Sequence, residues 1–264
     1  MDKIQLKDLD ISLVDNKRNY ISGDTVYGTV SFTVTGGQME VSWVRISLMC
    51  QAKTSWVENP DLRHHREDHT YSDLKTYIHF IYRIPDQLTI DETTVDEVQT
   101  VKTGITVQAP MRNNLHVSVG GNVEKEFTFA SEGIGSIRMH ASVMRKGFES
   151  GHPLEVDCFI WNESSLDVKP RVTLYQTQVY ICGERHKAVD VALTEALVGQ
   201  VVKGSAKCRE LFSLVIPDGL PLSFKSGLIS VKYFAHLTLD IPYAFDLHIN
   251  LPIVITTKGA LEAI

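Results

Sequence analysis

A pattern near the start of the chain returns half-way along it. Lys17-Arg18-Asn19-Tyr20-Ile21-Ser22-Gly23, with Val26 following, is echoed by Arg145-Lys146-Gly147-Phe148-Glu149-Ser150-Gly151, with Leu154 following, so that Tyr20 and Phe148 correspond at an offset of 128 residues. A second echo pairs Phe80-Ile81-Tyr82-Arg83-Ile84-Pro85-Asp86-Gln87-Leu88 with Phe212-Ser213-Leu214-Val215-Ile216-Pro217-Asp218-Gly219-Leu220, at an offset of 132. Two nearly equal offsets in a chain of 264 residues leave room for two copies of a domain-sized unit. They exclude a solenoid, whose repeats run to about 20–50 residues.

Each copy reads as short strands. In the first, Ile11 and Leu13 alternate before a turn, then Val26, Gly28, Val30, Phe32 and Val34, then Val44, Ile46, Leu48 and Cys50. In the second, Ile137, Met139, Ala141 and Val143 alternate, and so do Ile229, Val231, Tyr233, Ala235, Leu237 and Leu239, before a closing strand near Leu251 to Ile255. The echoed residues are turn chemistry: Gly after Ser is free to take positive φ, and Pro-Asp ends a ladder because Pro has no N–H to donate. Val189 to Val198 fits a helical turn and a strand equally well. The expected fold is all-β, with two tandem immunoglobulin-like antiparallel β-sandwich domains. The expected bounds are 1–130 and 135–258, with a short tail at 259–264 and a Gly-rich boundary near Gly133 to Gly135. Residues 89–125 give weak strand signals and no evident counterpart of the second copy's last strands, which predicts a shortened first domain.

Bulk properties exclude several functions. A formal charge of −6 without a long Lys/Arg run argues against broad nucleic-acid binding. No run of about 18 apolar residues is present, and the opening Met1-Asp2-Lys3-Ile4-Gln5 lacks a signal-peptide core, so a cytoplasmic location is expected. Cys50, Cys158, Cys182 and Cys208 lie far apart with no Cys-x-x-Cys pair and are expected as thiols. Without a Gly-x-Ser-x-Gly elbow or a recognisable nucleophile, no catalytic residue, cofactor or metal is expected. Asn162-Glu163-Ser164 fits the glycosylation triplet by chance, and Trp43, Trp56 and Trp161 are expected to pack in or beside the core.

Several stretches resemble the arrestin family, in particular the arrestin domain-containing proteins. Tyr20-Ile21-Ser22-Gly23-Asp24-Thr25-Val26-Tyr27-Gly28-Thr29-Val30 is similar to the opening of their first domain, and Val44 to Trp56 to the strand after it. Lys146-Gly147-Phe148-Glu149-Ser150-Gly151 and Asn162-Glu163-Ser164-Ser165 resemble the entry to their second domain, and Ser230-Val231-Lys232-Tyr233 with Leu251-Pro252-Ile253-Val254-Ile255 its last strands. The resemblance implies the arrestin fold and an adaptor without catalytic activity. Such an adaptor binds cytoplasmic segments of membrane proteins and influences their endocytosis, sorting or ubiquitination, with recruitment to plasma membrane or endosomes through peripheral association. Family members often engage ubiquitin ligase machinery through Pro-Pro-x-Tyr, and the sequence contains no Pro-Pro. The alternative is a structural subunit of an endosomal sorting coat of the retromer type.

The candidate partner-binding residues fall in two places. Lys17 and Arg18, at the repeated turn with Arg145 and Lys146 as counterparts, suit phosphorylated or acidic segments. His64, His65 and Arg66 lie in a charged loop after Pro60, which the resemblance places on the partner-facing side. His65 and His69, four apart, could share a metal if the segment were helical, with His64 beside them, and a solvated loop is the expectation. One family member exchanges disulfides through a second-domain cysteine, and Cys208 lies near the corresponding stretch, where an idle thiol is expected.

Overall fold

The computed structural model describes residues 5–35, 44–58, 68–84, 100–129 and 133–263. In chain order the strands are β1 (Gln5–Leu13), β2 (Asn19–Ile21), β3 (Gly28–Thr35), β4 (Val44–Glu58), β5 (His69–Ile84), β6 (Thr106–Gln108), β7 (Val119–Phe129), β8 (Gly133–Val143) and β9 (Gly147–Phe148). They continue with β10 (Pro153–Glu163), β11 (Lys169–Cys182), β12 (Arg185–Ala192), β13 (Leu197–Val198), β14 (Lys207–Val215), β15 (Phe224–Lys225), β16 (Ile229–Asp240) and β17 (Leu247–Ile255). One short helix, α1 (Lys258–Glu262), follows, opened by Thr257, whose side chain accepts from the Ala260 N–H. The chain is all-β, as the alternation predicts. Of Val189 to Val198, the first four residues complete β12 and the last two form β13, both paired with β11, and residues 193–196 between them are neither helix nor strand.

The chain divides into two compact units, Met1–Lys53 with Leu74–Ala109, and Thr54–Asp73 with Pro110–Ile264. The second contains a sandwich. One sheet runs β14-β10-β8-β7, and the other runs β12-β11-β16-β17-β9, with β13 and β15 beside it. Both sheets turn their alternating apolar residues inward: Ile137, Met139, Ala141, Val156, Ile160, Phe212 and Leu214 from the first meet Val172, Leu174, Tyr233, Leu237, Leu239 and Leu251 from the second. The β7–β8 hairpin is antiparallel from Val119↔Val143 to Phe129↔Gly133. The Gly133 to Gly135 stretch read from sequence as a domain boundary is therefore the start of β8, and β7 belongs with the second unit, whose main segment begins at Pro110.

Asn162, buried at 1% exposure, ties down the far end of β10. Its amide donates to the carbonyls of Leu166, Val202 and Lys203, and its Oδ1 accepts from the N–H and hydroxyl of Ser164. The Asn-x-Ser triplet is thus a structural knot that satisfies two loops at once. Gln176, Tyr233 and the Pro221 carbonyl form a second buried chain of hydrogen bonds.

In the first unit β1 pairs antiparallel with β3, with an irregularity between Lys7 and Asp10. β4 pairs with β5, and β2 with β6. The tip of the β4–β5 pair falls in the second unit: Thr54 donates to the Ile181 carbonyl, Trp56 stacks on Tyr71 at 5.5 Å, and Arg185 lies 5.7 Å from the Tyr71 ring. Trp56 is buried, Trp161 is partly exposed, and Trp43 lies outside the described residues.

The sequence echo is also a structural echo. β2 runs parallel to β6 with Tyr20↔Val107, and β9 runs parallel to β17 with Phe148↔Ile255. These two short pairings depart from the expected antiparallel pattern, because in each copy the segment after the basic pair enters beside the closing strand in the same direction. The bonding repeats as well: Thr106 N–H donates to the Arg18 carbonyl as Val254 N–H does to that of Lys146. Gly23 and Gly151 both hold positive φ, at 101° and 80°. β6 is therefore the first copy's counterpart of the closing strand, which its three-residue length hides in the sequence.

Candidate functional site

The outward face of the β14-β10-β8-β7 sheet is built by period-two alternation: while Cys158 and Ile160 of β10 point into the core, Asp157, Phe159 and Trp161 point out. Cross-strand register sets their neighbours. Trp161 stands between Arg138 on β8 and Lys207 on β14, with Glu124 on β7 beyond Arg138. One row along, Phe159 stands between His140 and Arg209, with Asn122 beyond His140.

The two aromatic rings touch, with centroids 4.5 Å apart and planes tilted by 38°. Both are only partly covered. The Arg138 guanidinium lies 5.8 Å from the Trp161 ring and is held by Glu163 at 3.3 Å and Glu124 at 3.6 Å. Arg209 makes a two-pronged contact to Asp157, Nε to Oδ1 at 3.0 Å and Nη2 to Oδ2 at 2.8 Å. That fork holds the Asp157 carboxyl below its ordinary pKa. Lys207 makes no ion pair among the described residues. Asn122, Val123, Glu124, Arg138, Met139 and Trp161 line a shallow open depression of about 360 Å³. The result is a fixed aromatic pair ringed by cations and carboxylates, suited to hold the face of an extended peptide rather than enclose a small molecule.

The edges of this sheet differ. β7 carries Gly120 and Gly121 and points Lys125 inward, where its ammonium donates to the Phe245 carbonyl at 2.7 Å; an inward charge of this kind discourages strand addition. β14 is the opposite edge and exposes Leu211 and Val215. The β16–β17 loop presents Tyr243 and Phe245 to solvent, with Tyr243 at φ 61°.

Of the residues singled out from sequence, Lys17 and Arg18 lie in the first unit, just before β2. Lys17 pairs with Asp24 at 3.1 Å and lies 4.7 Å from the Tyr20 ring, while Arg18 donates to Thr103 Oγ1 at 3.2 Å. Asp24 also accepts from the Ile21 N–H, and that bond, followed by the one from Lys17, lowers its pKa. The second copy repeats the ring contact, with Arg145 lying 5.2 Å from Phe148. Lys17 and Arg145 thus each lie over the aromatic ring of their own turn, while Arg18 reaches across to Thr103. His64, His65 and Arg66 lie outside the described residues, and His69 is exposed at the start of β5. No group of three or more His, Cys, Asp or Glu side chains converges on a metal position among the described residues.

Cys208 is partly covered at the sandwich rim, and burial followed by Glu210 raises its thiol pKa. The opposite shift marks a reactive thiol. Cys158 is buried and pushed up to about 12.

Phe159, Trp161, Arg138 and Arg209 were missed as site residues, because alternation alone does not tell an outward aromatic on a strand from an inward one. A signal was available: Cys158 and Ile160 fix the inward parity of β10 and send Phe159 and Trp161 the other way.

Residues 134–259 match the family described as arrestin (or S-antigen), C-terminal domain. Arrestin domain-containing protein 4 of Homo sapiens is 28% identical over 123 residues, 47% of this chain and 29% of that protein. The Mus musculus protein of the same name is 28% identical over 123 residues, 47% of this chain and 30% of that protein. The thioredoxin-interacting protein of Sus scrofa is 21% identical over 150 residues, 57% of this chain and 38% of that protein. The matches span less than two-fifths of the length of these relatives.

Proposed function

We infer that this chain, whose residues 134–259 match the arrestin C-terminal domain, is an arrestin-type adaptor that binds cytoplasmic segments of membrane proteins on the outward face of β14-β10-β8-β7. The observation that carries this reading is the half-covered Phe159–Trp161 pair between Arg138, Lys207 and Arg209. An extended segment lays an apolar side chain on the ring pair and an acidic or phosphorylated one against Lys207, where charge-assisted hydrogen bonds form. The exposed β14 edge offers main-chain pairing beside it.

Catalysis plays no part in this reading, which needs binding alone. No helix among the described residues is long and apolar enough to cross a membrane, and in this reading the membrane is the location of the partner. Tyr243 suits transient contact with a headgroup layer, where amphipathic rings are favoured, and the exposed Phe245 adds apolar area beside it. Ubiquitin ligase machinery is, in this reading, a further partner.

Proximity labelling in cells tests the proposal with the intact chain, the Trp161→Ala/Lys207→Glu double variant, and a Lys17→Glu/Arg18→Glu variant. Enrichment of membrane proteins that the Trp161/Lys207 variant loses, while it keeps the parent's thermal transition, supports the assignment. Enrichment that survives the face variant and disappears with Lys17 and Arg18 moves the site to the basic turn. A stoichiometric soluble coat complex indifferent to both variants overturns the adaptor reading.

A further inference from the structure

The outward face of the other sheet carries a pair of histidines that this reading does not use. His236 on β16 lies opposite Asn250, and His248 on β17 lies opposite Thr238, so the two imidazoles are diagonal neighbours on one face. His236 Nε2 stands 3.1 Å from His248 Nδ1, the rings are 5.2 Å apart at 24°, and both side chains reach the surface. We propose that His236 and His248 form a two-imidazole site for a divalent transition-metal ion of the copper or zinc class.

The geometry is the argument. Zinc–imidazole bonds are about 2.0–2.1 Å, so two nitrogens on one tetrahedral ion stand about 3.3–3.4 Å apart, and two at a right angle about 2.9 Å. The observed 3.1 Å lies between those limits, so the two nitrogens need to move only a few tenths of an ångström, while each ring turns about its side-chain torsions to aim its lone pair at an ion beside the N···N line. In the ion-free protein one ring donates an N–H to the other. On binding, that ring carries its proton on its far nitrogen instead, and both near nitrogens present lone pairs.

The surroundings favour an ion at this place. β16 and β17 are paired from Tyr233↔Ile253 to Leu239↔Leu247, which fixes the distance between the two Cα atoms. Tyr175 and Phe234 stack at 5.4 Å and wall one side, with ring centroids 5.6 and 6.3 Å from that of His236. The nearby cation, Arg171, is held by Asp240 at 2.8 Å and by Asp246 at 3.9 Å, which offset its charge. Thr238 Oγ1, 3.4 Å from His248 Nδ1, places a hydroxyl beside the site. Two protein nitrogens leave the remaining positions open to water or to a ligand from a bound partner, and the site ranks copper above zinc and zinc above manganese.

The test uses the tag-free full chain, stripped with chelator and titrated calorimetrically with copper(II) and zinc(II), with electron paramagnetic resonance on the copper form. The proposal expects one equivalent bound, copper tighter than zinc, nitrogen couplings in the copper spectrum, and loss of that equivalent in both His236→Asn and His248→Asn. His248 is exposed, so the His248→Asn variant keeps the fold, and an unchanged thermal transition without metal verifies this. A His64→Asn/His65→Asn variant retains the equivalent. The idea is overturned if the stripped protein takes up no stoichiometric ion at about 0.1 mM metal, a threshold near −5.5 kcal/mol, or if uptake persists in both strand variants.

Discussion

Replacing Asn162 with Ala removes one side chain that serves five partners. The amide reaches the carbonyls of Leu166 at 2.6 Å, Lys203 at 3.0 Å and Val202 at 3.3 Å, and Oδ1 accepts from Ser164 Oγ at 2.7 Å and Ser164 N at 3.2 Å. Stranding a buried partner costs about 1–3 kcal/mol, and the partly covered Leu166 and Lys203 ends recover some of it from water. Five bonds at the low end, about 1 kcal/mol each, set an upper figure of about 5 kcal/mol, and water at the two partly covered carbonyls brings the expected loss to about 3–4 kcal/mol. At about 2–4 °C per kcal/mol for a unit of this size, the transition falls by about 6–16 °C. Urea unfolding followed by tryptophan fluorescence reads the loss directly, with m unchanged. Asn162→Asp keeps the acceptor and turns a carboxylate toward three carbonyls, so it is expected to be no less damaging than Ala. A loss below about 1 kcal/mol for Ala would refute the claim that this residue ties the two loops to β10.

Three further outcomes follow from the same structure. Gly151→Ala forces a Cβ into positive φ and against the Asp218 carboxylate, and is expected to cost about 1–2 kcal/mol in the same urea assay. Thiol labelling of the native protein at pH 8 is expected to modify exposed Cys50 well ahead of Cys208 and to leave Cys158 untouched until unfolding; Cys208 reacting first would contradict its raised pKa. The Asp157 pKa is lowered in the folded state, so its pairing with Arg209 stabilises above the unfolded carboxyl pKa and is lost as pH falls through the folded value. Arg209→Ala is expected to return the Asp157 midpoint, followed by carboxyl carbon NMR, toward the ordinary range, and no movement would rule out the fork as its cause.

What the sequence reveals depends on how local its cause is. The strands at Ile137 to Val143 and Ile229 to Leu239 were legible because their alternation records a face fully buried against another sheet. The basic-aromatic-Ser-Gly turn was legible because the conformation it needs recurs in both copies. β7 was hidden by Gly120, Gly121 and the inward Lys125, which break apolar alternation at a sheet edge, and β6 by its brevity. The aromatic pair sits two residues apart on one strand, but its cations come from β8 and β14, so the face exists only after register is set. His236 and His248 are likewise twelve residues apart until the β16–β17 hairpin closes. Lys17 and Arg18 stood out as charges, and their engagement with Asp24, Tyr20 and Thr103 required the folded turn.

The most direct test of the proposed binding face is site-specific photocrosslinking in cells, with benzoylphenylalanine placed at Trp161 and, separately, at Tyr175 on the outward face of the other sheet. The account predicts that position 161 captures cytoplasmic segments of membrane proteins and that position 175 does not. Capture from position 175 alone, or from neither while the intact chain still enriches membrane proteins, would contradict it.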